Sequence, residues 1–179
     1  RELCERFGLS PTPFKEALVA LERDGLVEAR PRRGYRVAEP DLESVCALYE
    51  VRGVLEGLAA RLATRNATPQ LTNELNQIQD RHRSQRAAGD LAGSGESDLA
   101  FHRKLWDASG NPYLMSMAES FTNQAALMMT SVRSRNPERQ DQALDEHDAL
   151  IDCIVAGDEV GVENLMRKHV ALTARALAE

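Results

Sequence analysis

Aromatic residues make up only 4% of this 179-residue sequence, and its 3 cysteines, Cys4, Cys46 and Cys153, lie far apart in no metal-ligand spacing. An odd number of scattered cysteines argues against a disulfide framework and for reduced thiols in a cytoplasmic protein. No apolar run approaches the ~20 residues of a membrane span, and no signal peptide is visible, so neither membrane insertion nor secretion is expected. An initiating Met is missing as well. The chain opens at Arg1 inside what reads as a helix, as a piece of a longer polypeptide would. With aromatics scarce, the 42% hydrophobic content comes mostly from Ala and Leu, which favours helices over strands.

The net charge of −6 would by itself argue against a nucleic-acid partner. It is unevenly distributed. Residues 1–38 hold eight Lys/Arg against six Asp/Glu, whereas residues 39–179 hold fourteen against twenty-two. Only the front of the chain is electrostatically suited to phosphates.

That front end has the punctuation of a helix-turn-helix. A short amphipathic helix carries Leu3 and Phe7 four apart and closes at Gly8. Ser10 is placed as an N-cap and Pro11 as the first helical residue of a second helix with Phe14, Ala17, Leu18 and Leu21 on one stripe. Asp24-Gly25 ends it. Leu26–Arg30 then alternates like a strand, Pro31-Arg32-Arg33-Gly34 reads as a turn, and Tyr35–Ala38 as the returning strand. Two helices and a hairpin with a basic tip are the order of a winged helix-turn-helix, whose second helix reads the major groove while Arg32 and Arg33 meet the DNA backbone or minor groove.

Residues 39–42 read as a linker, and residues 43–179 as an all-α, six-helix antiparallel bundle. The pattern predicts helices over about 42–64, 68–88, 96–109, 113–135, 139–156 and 158–178, with Gly89–Gly95 as a loop. The buried stripe of the first is expected to run through Leu48, Val51, Leu55, Ala59 and Leu62, with Arg52 beside it. Of the 4 histidines, three fall on apolar stripes. His102 stacks four residues after Asp98, His147 precedes Leu150, Ile151 and Ile154, and His169 shares a face with Val162, Leu165, Met166 and Leu172. His82, among Asp80, Arg81 and Arg83, reads as a surface residue. The spacing leaves two readings open: core histidines satisfied by neighbours, or a bundle-core metal site.

Two resemblances sharpen these readings. The run Phe7–Leu18 (FGLSPTPFKEAL), followed by Leu21–Val27 (LERDGLV), resembles the DNA-binding segment of the GntR family of bacterial transcription regulators. The resemblance implies DNA contacts at Arg1, Thr12 and Lys15, with Ser10 at the start of the same helix, and makes Gly34 the wing glycine. It also implies an earlier helix and strand that this sequence does not contain. The chain departs from the family where Pro11 replaces a common DNA-contacting Arg and Lys15 replaces an Arg. A lost bidentate guanine contact is worth ~1–3 kcal/mol of discrimination, so operator preference is expected to shift.

Further on, Glu50-Val51-Arg52 with Leu55-Glu56, Asp98–His102, Asn111-Pro112, Glu146-His147, Ala156-Gly157-Asp158 and His169 follow in the order of the FCD ligand-binding domain found in the FadR-type branch of that family. The resemblance implies that Asp98, His102, His147 and His169 hold a divalent ion such as Zn²⁺, Ni²⁺ or Mn²⁺. It also implies that Arg52 meets the carboxylate of a small organic acid effector; the competing reading of Arg52 is an ion pair with Glu56 at i+4. The expectation is a cytoplasmic homodimeric regulator, most simply a repressor, of a palindromic operator. No catalytic residues are assigned. A metal-dependent hydrolase and a direct metal sensor are the alternatives that the same residues would allow.

Overall fold

The computed structural model describes residues 2–8, 10–39, 41–118, 121, 123–124 and 137–178. The chain divides into two compact units, Arg1–Pro40 and Asp41–Glu179.

In the first unit, α1 (Glu2–Phe7) and α2 (Pro11–Arg23) precede a hairpin of β1 (Val27–Arg30) and β2 (Gly34–Val37). Helix α2 closes with a Schellman-type cap. Gly25 takes φ 70, and Leu26 N donates to Leu21 O at 2.9 Å. Ser10 has the extended backbone of an N-cap, yet its side chain makes no capping hydrogen bond. The reason lies in the sequence. A cap oxygen accepts from the second or third helical N–H, and Pro13, third here, has none to give, which leaves only the Thr12 N–H as a donor. The strands pair antiparallel with Val27 opposite Val37 and Glu28 opposite Arg36, whose Nε donates to Glu28 Oε2 at 3.0 Å. No residue of α2 is fully buried, although Phe14 and Leu18 are partly covered.

The second unit is a helical bundle. Its described helices are α3 (Leu42–Arg65), α4 (Pro69–Ala87), α5 (Leu91–Ala108), α6 (residues 112–118), α7 (Pro137–Ala156) and α8 (Glu159–Ala178). Residues 125–135 of the fourth expected helix lie outside the described residues. Side-chain caps start the helices where the sequence places them. Asp41 accepts from Ser44 N at 2.8 Å, Thr68 from Leu71 N at 3.1 Å, and Asn111 from Tyr113 N at 3.0 Å. Helix α3 packs along α8, α4 along α5, and α7 against both α8 and α4. Leu75, Phe101, Leu105, Leu150, Ile154, Val162 and Met166 fill the space between them.

Two expectations about this bundle are corrected. Gly89–Gly95 is not a loop, because α5 already begins at Leu91, with Asp90 accepting from Gly93 N at 2.9 Å. Gly93 and Gly95 are buried, and a Cβ on Gly93 would collide with the Asp90 carboxylate and the Gln85 amide. Its glycines are there for close approach rather than for a turn. The expected stripe of α3 fails at Val51, which is 50% exposed, whereas Ala59 is fully buried and Leu48, Leu55 and Leu62 are partly buried against the core. The buried face also takes in Val45, Tyr49, Arg52, Gly53, Glu56, Gly57, Ala60, Ala63 and Thr64. Gly57 marks a close approach: a Cβ there would lie 2.8 Å from Arg167 Cγ and 3.2 Å from Glu163 O. Small residues, not large aliphatic ones, let α3 lie close against α8.

Candidate metal centre

Helix α5 contributes Asp98 and His102 to the bundle interior, α7 contributes His147, and α8 contributes His169. His102, His147 and His169 are buried and offer ring nitrogens that all lie within 4.8 Å of one another. Asp98 is not in that set. It groups instead with His147 and His82, and its Oδ1 is 3.8 Å from His147 Nε2. The four residues are therefore brought to one place, and His102, His147 and His169 all act on the Asp98 carboxyl. His82 is a correction at this site: it is 3% exposed, not a surface residue. Its flanking charges point away, while Leu71, Leu75, Gln79 and His82 form the inward face of α4.

Two of these histidines are each held by a carboxylate that sequence reasoning did not assign to the site. His102 Nδ1 donates to Glu56 Oε2 at 2.9 Å, and Trp106 Nε1 donates to the same oxygen at 3.0 Å. Arg52 grips the other oxygen of Glu56, with Nε at 3.0 Å and Nη2 at 2.9 Å. On the other side, His169 Nδ1 donates to Glu146 Oε2 at 2.6 Å, and Arg139 Nη2 donates to that oxygen at 2.8 Å. A carboxylate only accepts, so both Nδ1 atoms carry protons, which leaves Nε2 of each ring as the nitrogen that could face an ion. The i, i+4 spacing of Arg52 and Glu56 announced their pairing; the 46-residue reach from Glu56 to His102 left no local trace.

His147 is different. Its side chain has no solvent exposure, neither ring nitrogen has a hydrogen-bond partner, and Phe101 stacks on it at 4.0 Å between centroids. An imidazole buried this way is costly without a partner. Burial, reinforced by His169, pushes its pKa well below the ordinary 6.5, so the ring is neutral and ready to donate a lone pair. Burial lowers His169 too, against the hydrogen bond to Glu146. Burial alone would raise Glu56, but His102 and Arg52 hold its carboxyl at about 2. Asp98 is likewise held well below the usual carboxylate range, with His102 and His147 outweighing its burial. Three imidazoles with an adjacent carboxylate suit a borderline first-row divalent ion, and the orphaned His147 nitrogens fit such an occupant.

Two predictions follow from these contacts. In metal-free protein, the unfolded chain protonates its equivalent of His147 below pH ~6.5 while the folded chain does not, so stability falls as pH falls, by up to about 1.4 kcal/mol per pH unit per histidine. Melting temperatures in chelator between pH ~7 and pH ~5.5 check this, and His147→Gln is expected to flatten the decline. Glu56→Gln is expected to weaken metal binding by about 10–100-fold, because an amide cannot present oxygen to both Arg52 and the His102–Trp106 pair. Metal titration of the variant measures it.

Arg52 is buried and lines a cavity of about 30 Å³ together with His82, Asp98, His102, Arg139 and His169. Of the two sequence readings of Arg52, the ion pair with Glu56 is present, and the same side chain borders the cavity. In the first unit, Ser10, Thr12 and Lys15 are exposed at the start of α2, and Arg32, Arg33 and Gly34 form the hairpin tip. Arg33 N donates to Arg30 O at 2.9 Å, closing a turn in which Arg32 holds φ 62, a left-handed position more natural to glycine. Arg1 lies outside the described residues.

Residues 47–172 match the FCD domain, and residues 1–37 match the gntR family of bacterial regulatory proteins. The chain belongs to the GntR family. Like other GntR-family proteins it is a transcription regulator and not an enzyme, which leaves the hydrolase alternative without support. Among its relatives is a protein of Paenarthrobacter nicotinovorans described as "Probable D-xylose utilization operon transcriptional repressor", 27% identical over 170 residues, 95% of this chain and 74% of the relative. The galactonate operon transcriptional repressor of Escherichia coli is 25% identical over 198 residues, covering 99% of this GntR-family chain and 85% of that protein. The solved structure of E. coli McbR/YncC, at 22% identity, shares the fold with a TM-score of 0.88 over 99% of this chain and 84% of that one. No helix among the described residues is long and apolar enough to cross a membrane.

Proposed function

We propose that this GntR-family regulator is a cytoplasmic, homodimeric repressor whose helical unit, residues 43–179, holds one divalent first-row ion and senses a small organic acid. The observation that carries the reading is His147, with both ring nitrogens unpartnered at the centre of a cluster of imidazoles. Asp98, His102, His147 and His169 would hold the ion, with Zn²⁺, Ni²⁺ and Mn²⁺ as the fitting candidates. When bound, it supplies a Lewis-acidic position for a carboxylate oxygen. Glu56 and Glu146 fix the rings of His102 and His169 in the tautomer that points Nε2 inward. Arg52, on the cavity wall, would take a second carboxylate oxygen and so share its guanidinium between effector and Glu56.

Residues 1–38 contribute the operator contacts. Thr12 and Lys15, with Ser10, present donors at the N-terminus of α2, and Arg32 and Arg33 present charge at the hairpin tip. Two copies related by a two-fold axis would read a palindromic operator. The effector acts through a coupling free energy between the two kinds of site, typically ~1–3 kcal/mol.

The test is operator binding by the purified, metal-loaded protein, using a DNA fragment selected by the protein from a random pool. Small hydroxy acids and dicarboxylates are then added in turn. At least one is expected to shift operator affinity by ~5–150-fold, and the shift should vanish after chelation. No response to any acid, or a response to metal alone, would contradict the reading. The Arg32→Ala, Arg33→Ala pair should weaken binding to all sequences alike, whereas Lys15→Ala, on the groove-reading helix, should also relax base preference. Each phosphate contact removed should flatten the dependence of log affinity on log salt by ~0.9, read from binding at several salt concentrations.

A further inference from the structure

The metal centre proposed above uses three of the chain's 4 histidines. The remaining one, His82, is on α4, a helix from which neither sequence nor family resemblance called for a ligand. Its position is nevertheless that of a donor. It is 3% exposed, it lines the same cavity as Asp98, His102 and His169, and its ring lies 5.9 Å from that of His147. Donor atoms of His82, Asp98 and His147 all come within 4.8 Å of one another. The cluster therefore consists of two overlapping triads, His102–His147–His169 and His82–Asp98–His147, joined at His147.

We infer that His82 is a fifth metal-binding residue, which makes the protein shell four imidazoles and one carboxylate drawn from α4, α5, α7 and α8. This rests on the metal reading of the site. The joining residue carries the argument. His147 is common to both triads and has no hydrogen-bond partner, so an ion bound to it would have His102 and His169 from one triad and Asp98 and His82 from the other near by. Asp98 lines one cavity with His82, His102 and His169, and its donor atom falls in the triad that contains His82. An ion that binds Asp98 is thereby brought within reach of the His82 imidazole. The alternative role, a ring that only packs against His147, explains the tilt of 49° between the two rings but not the three-way approach of donor atoms.

The fifth donor changes what the effector meets. A six-coordinate ion with five protein ligands keeps one position, so an acid binds through a single oxygen. An acid that chelates through a carboxylate and an adjacent hydroxyl must displace His82. The residue thus sets a preference between simple and chelating acids, independent of Arg52.

The full chain, labelled with nitrogen-15 in its histidines and loaded with cadmium-113, tests this directly by NMR. Scalar coupling between the metal and a ring nitrogen appears only across a direct bond. Coupling to a His82 ring nitrogen, lost in His82→Phe while the other imidazole couplings persist, is the expected result. Couplings at His102, His147 and His169 without one at His82 overturn the inference and leave the metal centre intact. No coupling at any histidine overturns both. His82→Phe should also weaken Cd²⁺ binding by more than the ~10–100-fold that loss of an outer partner costs; an unchanged affinity counts against the fifth ligand.

Discussion

A saturating divalent ion is expected to raise the melting temperature of the wild-type chain by about 8–16 °C and that of His147→Ala by far less. An ion present at ~1,000 times its dissociation constant stabilises the folded state by about 4 kcal/mol, and each kcal/mol shifts the midpoint of a chain of this size by about 2–4 °C. His147 is the residue to change because it alone belongs to both donor triads and has no other partner for either nitrogen. Alanine also leaves a void beside Phe101, which lowers stability whether or not metal is present. The relevant quantity is therefore the difference between metal and chelator for each protein, in which the void cancels. Equal differences for wild type and variant would mean that the ion binds elsewhere.

The second large effect is structural. Arg52→Met is expected to destabilise the chain by about 3–5 kcal/mol, because it leaves the Glu56 carboxylate buried without its cation. Glu56 would still accept from His102 and Trp106, so the loss is one of charge compensation rather than of every contact. Adding Glu56→Gln to the same chain removes the stranded charge and keeps an oxygen for His102 and Trp106. The double variant is accordingly expected to be more stable than Arg52→Met alone, by about 1–3 kcal/mol. Urea unfolding of the four chains in chelator measures the cycle. A double variant less stable than the single one would show that Arg52 and Glu56 contribute independently. Under the proposed sensing role, an effector carboxylate drawing on Arg52 would compete with Glu56 and so reach the ring of His102.

Much of the candidate site was legible because helical spacing exposes it. Asp98 and His102 at i, i+4 and His147 ahead of Leu150, Ile151 and Ile154 declare an inward face without any knowledge of what they face. Helix starts were equally plain wherever a side chain caps them, at Asp41, Thr68 and Asn111. The rest was not legible, for three physical reasons. His82 was read by its sequence neighbours Arg81 and Arg83, but on a helix those point elsewhere, and the informative residues are Gln79 and Leu75, three and seven positions back. In α3 only Val51 departs from the expected stripe, and the part that aliphatic spacing does not mark is the small-residue face of Gly53, Gly57, Ala60 and Ala63, buried because α8 lies close. Glu56 and Glu146 became outer partners of the centre only when distant helices met, which no local pattern records.

The account depends on a resident ion, and elemental analysis of the purified chain decides it. Wild-type protein dialysed against metal-free buffer is predicted to retain about one first-row divalent ion per chain, and the His147→Ala, His169→Ala double variant less than about a tenth of that. Equal metal content in the two proteins would contradict the centre described here.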